Sequence, residues 1–421
     1  MSHHDVVVVG AGLAGLTAAV RLAESGASVL VLAKGVGATH LSAGTIDVLG
    51  YTPERVERPL DALGALPAGH PYGLVGPEAI TAAVAWFRER IAGGSLAPYA
   101  YVGSAEENLL LPTAVGVARP SAVVPETMAA GDLREAAPVV AVGFRALKDF
   151  HPALLADMLA HAGVPASAVE LDLTPEDRAD VNSLGFARAF DDPAFRGQVV
   201  AQLAARRLGA EERVAFPAVL GIADPHGAWA ALEHGLGRRV FEVPTLPPSV
   251  PGMRVFAVLR EALRRAGGTV RLNNVVVGVE RDGSRVRAVR VRVGLREERQ
   301  GADWVVLASG GFASGGLELD SRWAAHEVAL GLPVSGVPAA GDERFRPGYF
   351  DAHPMGRAGV AVDGRLRPEG LENVLVAGAT LAGAEPWKEK SGDGISLATG
   401  HRAAELVLAA TTSAAPAAAR S

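Results

Sequence analysis

The chain has 421 residues, 49% hydrophobic and 20% charged, which excludes an intrinsically disordered protein and calls for a large core. Its 40 basic and 46 acidic residues give a net charge of −6, so no broad basic nucleic-acid surface is expected. Cysteine is absent, which excludes a disulfide framework, a thiolate nucleophile and a Cys-held zinc or iron–sulfur cluster in this chain.

Residues 1–5 carry no Lys or Arg ahead of the first apolar run, so no secretory signal is expected. That run is broken by Gly10, Gly12 and Gly15 and falls short of the ~20 apolar residues of a spanning helix. A cytoplasmic protein follows, one without direct membrane insertion, whose attachment to a membrane would go through a partner.

Residues 6–9 form a β-branched strand, followed at once by Gly10-Ala11-Gly12-Leu13-Ala14-Gly15. Leu16, Ala19, Val20 and Ala23 then fall at helical spacing, and residues 28–33 read as a second buried strand. Strand, glycine turn, helix and strand make one βαβ unit. Gly10 permits a tight turn, Gly12 lets backbone approach a pyrophosphate, and Gly15 lets the helix pack close to the sheet. The helix start, at Leu13 and Ala14, offers N–H donors and a positive dipole end to phosphates. A turn with no ligand is the alternative, but the preceding valine strand and the following helix favour dinucleotide or flavin binding.

An acid about 20 residues further on would hold the adenosine ribose. Here the second strand ends at Lys34, and no Asp or Glu lies between Ser25 and Thr45. A Lys cannot accept a ribose hydroxyl, though it can pair with a phosphate or simply face solvent. Either the adenosine is held differently, as in FAD, or the ligand lacks an adenosine, as FMN does.

The glycine-rich loop after this strand makes Ser42, Ala43, Gly44 and Thr45 candidate cofactor contacts. Asp47 is either structural or orients a flavin edge. Residues 80–91 read as a helix. From there to about residue 250 prolines recur and short helices alternate with strand-like runs such as 139–144. The expected fold is α/β: a discontinuous Rossmann-like FAD/NAD(P)-binding domain of residues 1–74 and 251–410, with an inserted α+β substrate or cap domain over 75–250. Residues 246–253 read as a rigid Pro-rich segment and 256–266 as a helix. Strands are expected at 269–272, 274–280, 285–293, 304–308 and 374–377, with Asp282-Gly283 as a hairpin turn. A closing helix covers 395–409, and 411–421 is a disordered tail.

Gly310, Gly311 and Gly378, at the ends of late strands, are expected to leave room for a flat ring. Gly392, Gly394 and Ile395 are expected to aim backbone N–H groups at its pyrimidine edge. His40, His226, His353 and His401 are conceivable acid–base groups, though no general base is legible, and no metal site is expected. Arg254 and Arg145 are candidate anion contacts.

The chain resembles the family of B-type subunits of the anaerobic, quinone-linked glycerol-3-phosphate dehydrogenase. The resemblance is carried by DVVVVGAGLAGLTAAVRLAESG at the start, THLSAGTIDVL at residues 39–49 and LPPSVPGMR at 246–254. It continues through ADWVVLASGGFASGGL at 302–317 and ENVLVAGATLAGAEP at 372–386. It implies an FMN-binding subunit with two partners: a larger, FAD-containing A-type subunit, and an iron–sulfur, membrane-anchoring C-type subunit. The implied substrate is small and phosphorylated: sn-glycerol 3-phosphate, oxidised to dihydroxyacetone phosphate. The family tends to a glycine run where this chain has Lys390-Ser391-Gly392-Asp393-Gly394. A stand-alone flavin dehydrogenase of the fumarate-reductase type and a flavin-free scaffold are the competing readings.

Overall fold

A computed structural model describes residues 2–175, 180–206, 208–339, 345–348, 351–353 and 355–414. The first strand, Ser2–Val9, lies between Val29–Ala33 and Arg296–Leu307, parallel to both. Thr269–Leu272 extends the parallel sheet beyond Val29–Ala33, and Val374–Val376 pairs with the inner end of Arg296–Leu307. Val275–Asp282 and Arg285–Val293 add an antiparallel pair, for seven strands in all.

The two faces follow from strand periodicity. Val6, Val8, Val29 and Val31 point into a helical layer formed by Leu13–Glu24, Pro77–Ala92, Val250–Arg265 and Gly392–Ala414. Val7, Val9, Leu30 and Leu32 point the other way, into a core shared with Val289, Val305, Val374 and Leu381. The first and closing helices cross almost in backbone contact: a Cβ on Gly400 would stand 2.3 Å from the Ala14 carbonyl oxygen.

A second core lies within residues 130–250. Its sheet is parallel throughout, in the order Val240–Val243, Arg213–Pro217, Val139–Phe144, Ala166–Leu171. Helices including Pro152–His161 and Pro225–Leu236 connect its strands. Phe144, Phe186, Phe190, Phe195 and Phe216 pack ring against ring at its centre. This sheet corrects the α+β expectation, which fits only the two short antiparallel pairs before it, 101–103 with 123–125 and 109–112 with 118–121. The boundary expected at residue 75 also moves. Ile80, Phe87 and Ile91 belong to the first core, because the apolar stripe of Pro77–Ala92 faces the nucleotide sheet.

Three expected elements are longer than their apolar patterns. The helix at residue 256 begins at Val250, with Ser249 Oγ accepting from the Gly252 N–H at 3.0 Å and a proline in the first turn. The strand at 304–308 is the inner end of Arg296–Leu307, whose polar outer half is held by antiparallel pairing. Residues 411–414, expected in a disordered tail, finish the closing helix; 415–421 lie outside the described residues.

Candidate functional site

At the end of the first strand the chain turns back sharply. Gly10 has φ +113°, and a Cβ there would lie 2.1 Å from the Ala308 carbonyl oxygen. A Cβ on Gly15 would lie 2.0 Å from the Gly10 carbonyl oxygen, so the helix seats on the turn only because this residue is glycine. Gly12 differs. It is the helix N-cap with φ −75°, and a Cβ on it would meet nothing within 4 Å. No side chain caps this helix and its first turn holds no acid. The first intrahelical bond runs from the Leu16 N–H to the Gly12 carbonyl at 3.0 Å. The N–H groups of Leu13, Ala14 and Gly15 therefore precede any intrahelical acceptor, at the positive end of the helix. Gly37 folds over one side of the turn, where its Cβ would come within 2.8 Å of Gly12 Cα. Lys34 is exposed at the strand end.

At five of the other singled-out glycines protein atoms stand where a side chain would begin. A Cβ on Gly310 would meet Ser314 at 2.6 Å, on Gly311 the Ala379 carbonyl at 3.0 Å and on Gly378 the Ala14 side chain at 2.9 Å. On Gly44 it would meet Pro251 at 2.3 Å, and on Gly394 the Tyr72 hydroxyl at 2.3 Å. At Gly310, Gly311 and Gly378, expected to leave room for a flat ring, the side on which a Cβ would stand is therefore taken by protein atoms. Gly394 and Ile395 do not offer free N–H groups, since they donate to Asp47 O (3.0 Å) and Ser391 O (2.8 Å). Ser42 is used locally, its hydroxyl donating to Thr39 O at 3.1 Å and accepting from the Gly44 N–H at 3.2 Å, with half-buried Ala43 between.

Next to this loop lies a cluster of charges. Asp47 is buried, accepting from Thr45 Oγ1 at 2.7 Å and from Arg119 Nε at 2.8 Å. Asp47 is thus an anchored structural group. Asp393, half-buried in the first turn of the closing helix, has its carboxyl pushed up to about 7 by burial, with the Asp47 charge adding and Arg119 opposing. It forms no ion pair among the described residues. A second buried pair, His70 Nε2 with Glu389 Oε2 at 3.1 Å, ties the loop before Tyr72 to the segment leading into the closing helix. The partners in these pairs, Asp47–Arg119 and His70–Glu389, lie 72 and 319 residues apart, and no local pattern announces either.

The candidate anion contacts are not brought to the glycine turn. Arg254 is fully buried, with Nη1 on Glu242 at 2.7 Å, Nη2 on Glu242 at 3.0 Å and Nε on Gly221 O at 2.9 Å. Its donors are committed, so it cannot take a substrate anion. Arg145 is exposed beside Glu170 and Asp172 at the end of a second-core strand. Of the histidines, His401 is buried and its pKa is pushed down to about 4, by burial first and by Arg21 second. His40 sits edge-on to Phe256 with centroids 4.9 Å apart, its Nε2 buried without a hydrogen-bond partner and its pKa lowered by burial. His226 pairs with Glu126 at 2.9 Å, and His353 Nδ1 accepts from the Met355 N–H at 3.1 Å.

The family model described as an FAD binding domain matches residues 5–395. A Halobacterium salinarum protein, named as the probable B-type subunit of anaerobic glycerol-3-phosphate dehydrogenase, is 34% identical over 95% of this chain and 96% of its own length. The chain belongs to the family of B-type subunits of anaerobic glycerol-3-phosphate dehydrogenase. The Yersinia enterocolitica member is 32% identical, over 96% of this chain and 98% of its own. Among solved structures, the E. coli quinol fumarate reductase FrdA aligns over 98% of this chain and 72% of its own, with 9% identity and a TM-score of 0.44. Membership in an FAD-binding family corrects the preference for FMN: the cofactor class is flavin, and FAD is the form the family match supports. Among the described residues no helix is long and apolar enough to cross a membrane.

Proposed function

We propose that the chain is a flavin-carrying subunit of a dehydrogenase that oxidises sn-glycerol 3-phosphate to dihydroxyacetone phosphate and passes the electrons toward quinone. The observation that carries this reading is likeness over nearly the whole chain to relatives named for that dehydrogenase. The open, uncapped helix start at Gly12 supports it, because it suits a pyrophosphate, which FAD has and FMN lacks.

A bound flavin supplies acceptance of a hydride from the alcohol carbon. The chain's own residues hold and orient. The N–H groups of Leu13, Ala14 and Gly15 would take the pyrophosphate, with Gly12 leaving space for it. The loop over residues 38–46, fixed by the Tyr101 hydroxyl donating to Gly44 O at 2.5 Å, would border the ring. Asp393, whose carboxyl is pushed up to about 7 by burial and by Asp47, would take a proton at Oδ1 or Oδ2. In this reading two partners, one containing FAD and one carrying iron–sulfur clusters, supply the path to quinone and the membrane attachment, which a cysteine-free chain leaves to others.

The test is to release and weigh the cofactor, then to add sn-glycerol 3-phosphate anaerobically to the assembled complex. The expected results are the mass of FAD and bleaching of this chain's flavin absorbance. A colourless chain, or a flavin that substrate leaves oxidised in the complex, would overturn the reading.

A further inference from the structure

With Arg254 sealed in the protein and Arg145 out in solvent, the expected substrate phosphate has no holder among the residues singled out from sequence. A cleft of about 770 Å³ opens between the chain at residues 51–67 and the segment 385–390, with Arg357 beside it. That volume is in the range of small-molecule sites. Its charges do not balance. Glu389 is occupied, accepting from His70 Nε2 at 3.1 Å, Ser391 Oγ at 2.8 Å and the Glu385 N–H at 2.9 Å. Glu385 lies 3.5 Å from Arg357. Lys388 and Lys390 pair with no carboxylate among the described residues, in a chain whose basic residues are otherwise nearly all arginine.

Lys390 is the more telling of the two. It is half-buried and held at φ +51°, a left-handed conformation that a side chain adopts at a cost of about 1 kcal/mol. Burial lowers its pKa, Arg119 lowers it further, and Asp47 opposes them. A strained backbone therefore holds a partly desolvated ammonium that Asp47 compensates only from a distance and that no carboxylate pairs with directly among the described residues. Lys388 Nζ stands 5.3 Å from the centroid of the half-exposed Trp387 ring, which walls the cleft.

We propose that this cleft binds a phosphate monoester of a small polyol. The Lys388 and Lys390 ammonium groups take the phosphate, and the Trp387 face covers the carbon stem. The assignment rests on the functional reading above and gives its substrate a place on this chain. Lysine suits the task as a mobile point charge for phosphate.

The experiment is calorimetry on the flavin-loaded chain with three probes: sn-glycerol 3-phosphate, inorganic phosphate and glycerol. The phosphate ester binds, inorganic phosphate competes with it, and glycerol does not bind. Lys388→Gln and Lys390→Gln each weaken ester binding at least tenfold, with flavin content and Tm unchanged. If Lys390→Gln misfolds, Lys390→Asn tolerates the left-handed backbone and serves in its place. Ester binding as tight in the variants as in the parent, or glycerol binding equal to that of its phosphate, overturns the assignment. Substrate turnover by the complex with KM unmoved in both variants removes the cleft and leaves the functional reading intact. Lysine-dependent binding without flavin bleaching does the reverse.

Discussion

At the scale of single residues, the glycines of the first turn separate two jobs that one motif conflates. A methyl group on Gly10 or Gly15 would strike a carbonyl oxygen at 2.1 or 2.0 Å, whereas on Gly12 it would enter open space. Gly12→Ala should therefore fold with a stability change within about 0.5 kcal/mol but lose most of its flavin. Gly15→Ala should be strongly destabilised. Denaturant melts and flavin absorbance on both variants decide the matter; equal flavin content in Gly12→Ala and the parent would contradict it. Asp393 makes a prediction of opposite character. Its folded-state pKa of about 7 lies above the ordinary 3.8, so its contribution favours folding at low pH and is lost as pH rises from about 4 through 7. Asp393→Asn should stabilise the chain by about 1–3 kcal/mol at pH 8 and by nothing at pH 3.5, read from urea melts at both. The role of Gly15 was legible because its obstacle, the Gly10 carbonyl, lies five residues away in the same motif, whereas the Ala308 carbonyl that forbids a side chain on Gly10 comes from a distant strand. The fates of Gly44 and Gly394 were not legible, because a Cβ's obstacle lies on a distant segment, Pro251 for the one and Tyr72 for the other.

At the scale of elements, apolar periodicity located nearly every strand of the nucleotide sheet and misjudged their ends. Arg285–Val293 and Thr269–Leu272 fall where their alternation places them. Arg296–Leu307 was only half visible, since REERQ is a polar run that pairing with residues 289–293, not burial, holds extended. The Pro-rich stretch at residue 246 concealed a helix start: Ser249 is its cap and a proline its first-turn residue, so residues that read as a break are a beginning. Ser249→Ala should cost about 1 kcal/mol, because the Gly252 N–H loses its acceptor inside a buried helix end. Chemical denaturation checks the magnitude; no change would mean that another group caps this helix.

For the whole molecule, a buried ion pair stands where the two cores meet, on a helix whose first residue, Val250, packs in the second core and whose later residues pack in the first. Arg254 stands on the helix of the first core and Glu242 on the sheet of the second, with neither side chain reached by solvent. Glu242 also accepts from Thr127 Oγ1 at 2.6 Å and the Leu220 N–H at 2.8 Å, so the pair fastens several segments at once. Its partners come from different parts of the chain, which is why an arginine beside a conspicuous motif read as a ligand contact. Replacing Arg254 by Met leaves a buried carboxylate without its countercharge, at a cost of about 3–5 kcal/mol. That loss falls on the junction, so the parent's unfolding should split in Arg254→Met into two transitions. FAD binds the folded nucleotide core alone in this scheme, and at about 100 times its Kd it should add about 2.7 kcal/mol to that core. Calorimetric scans of Arg254→Met with and without FAD should therefore show one transition rising and the other, from the phenylalanine-rich second core, standing still. Both transitions rising together would mean that the cores remain coupled through other contacts and that this ion pair is not what joins them.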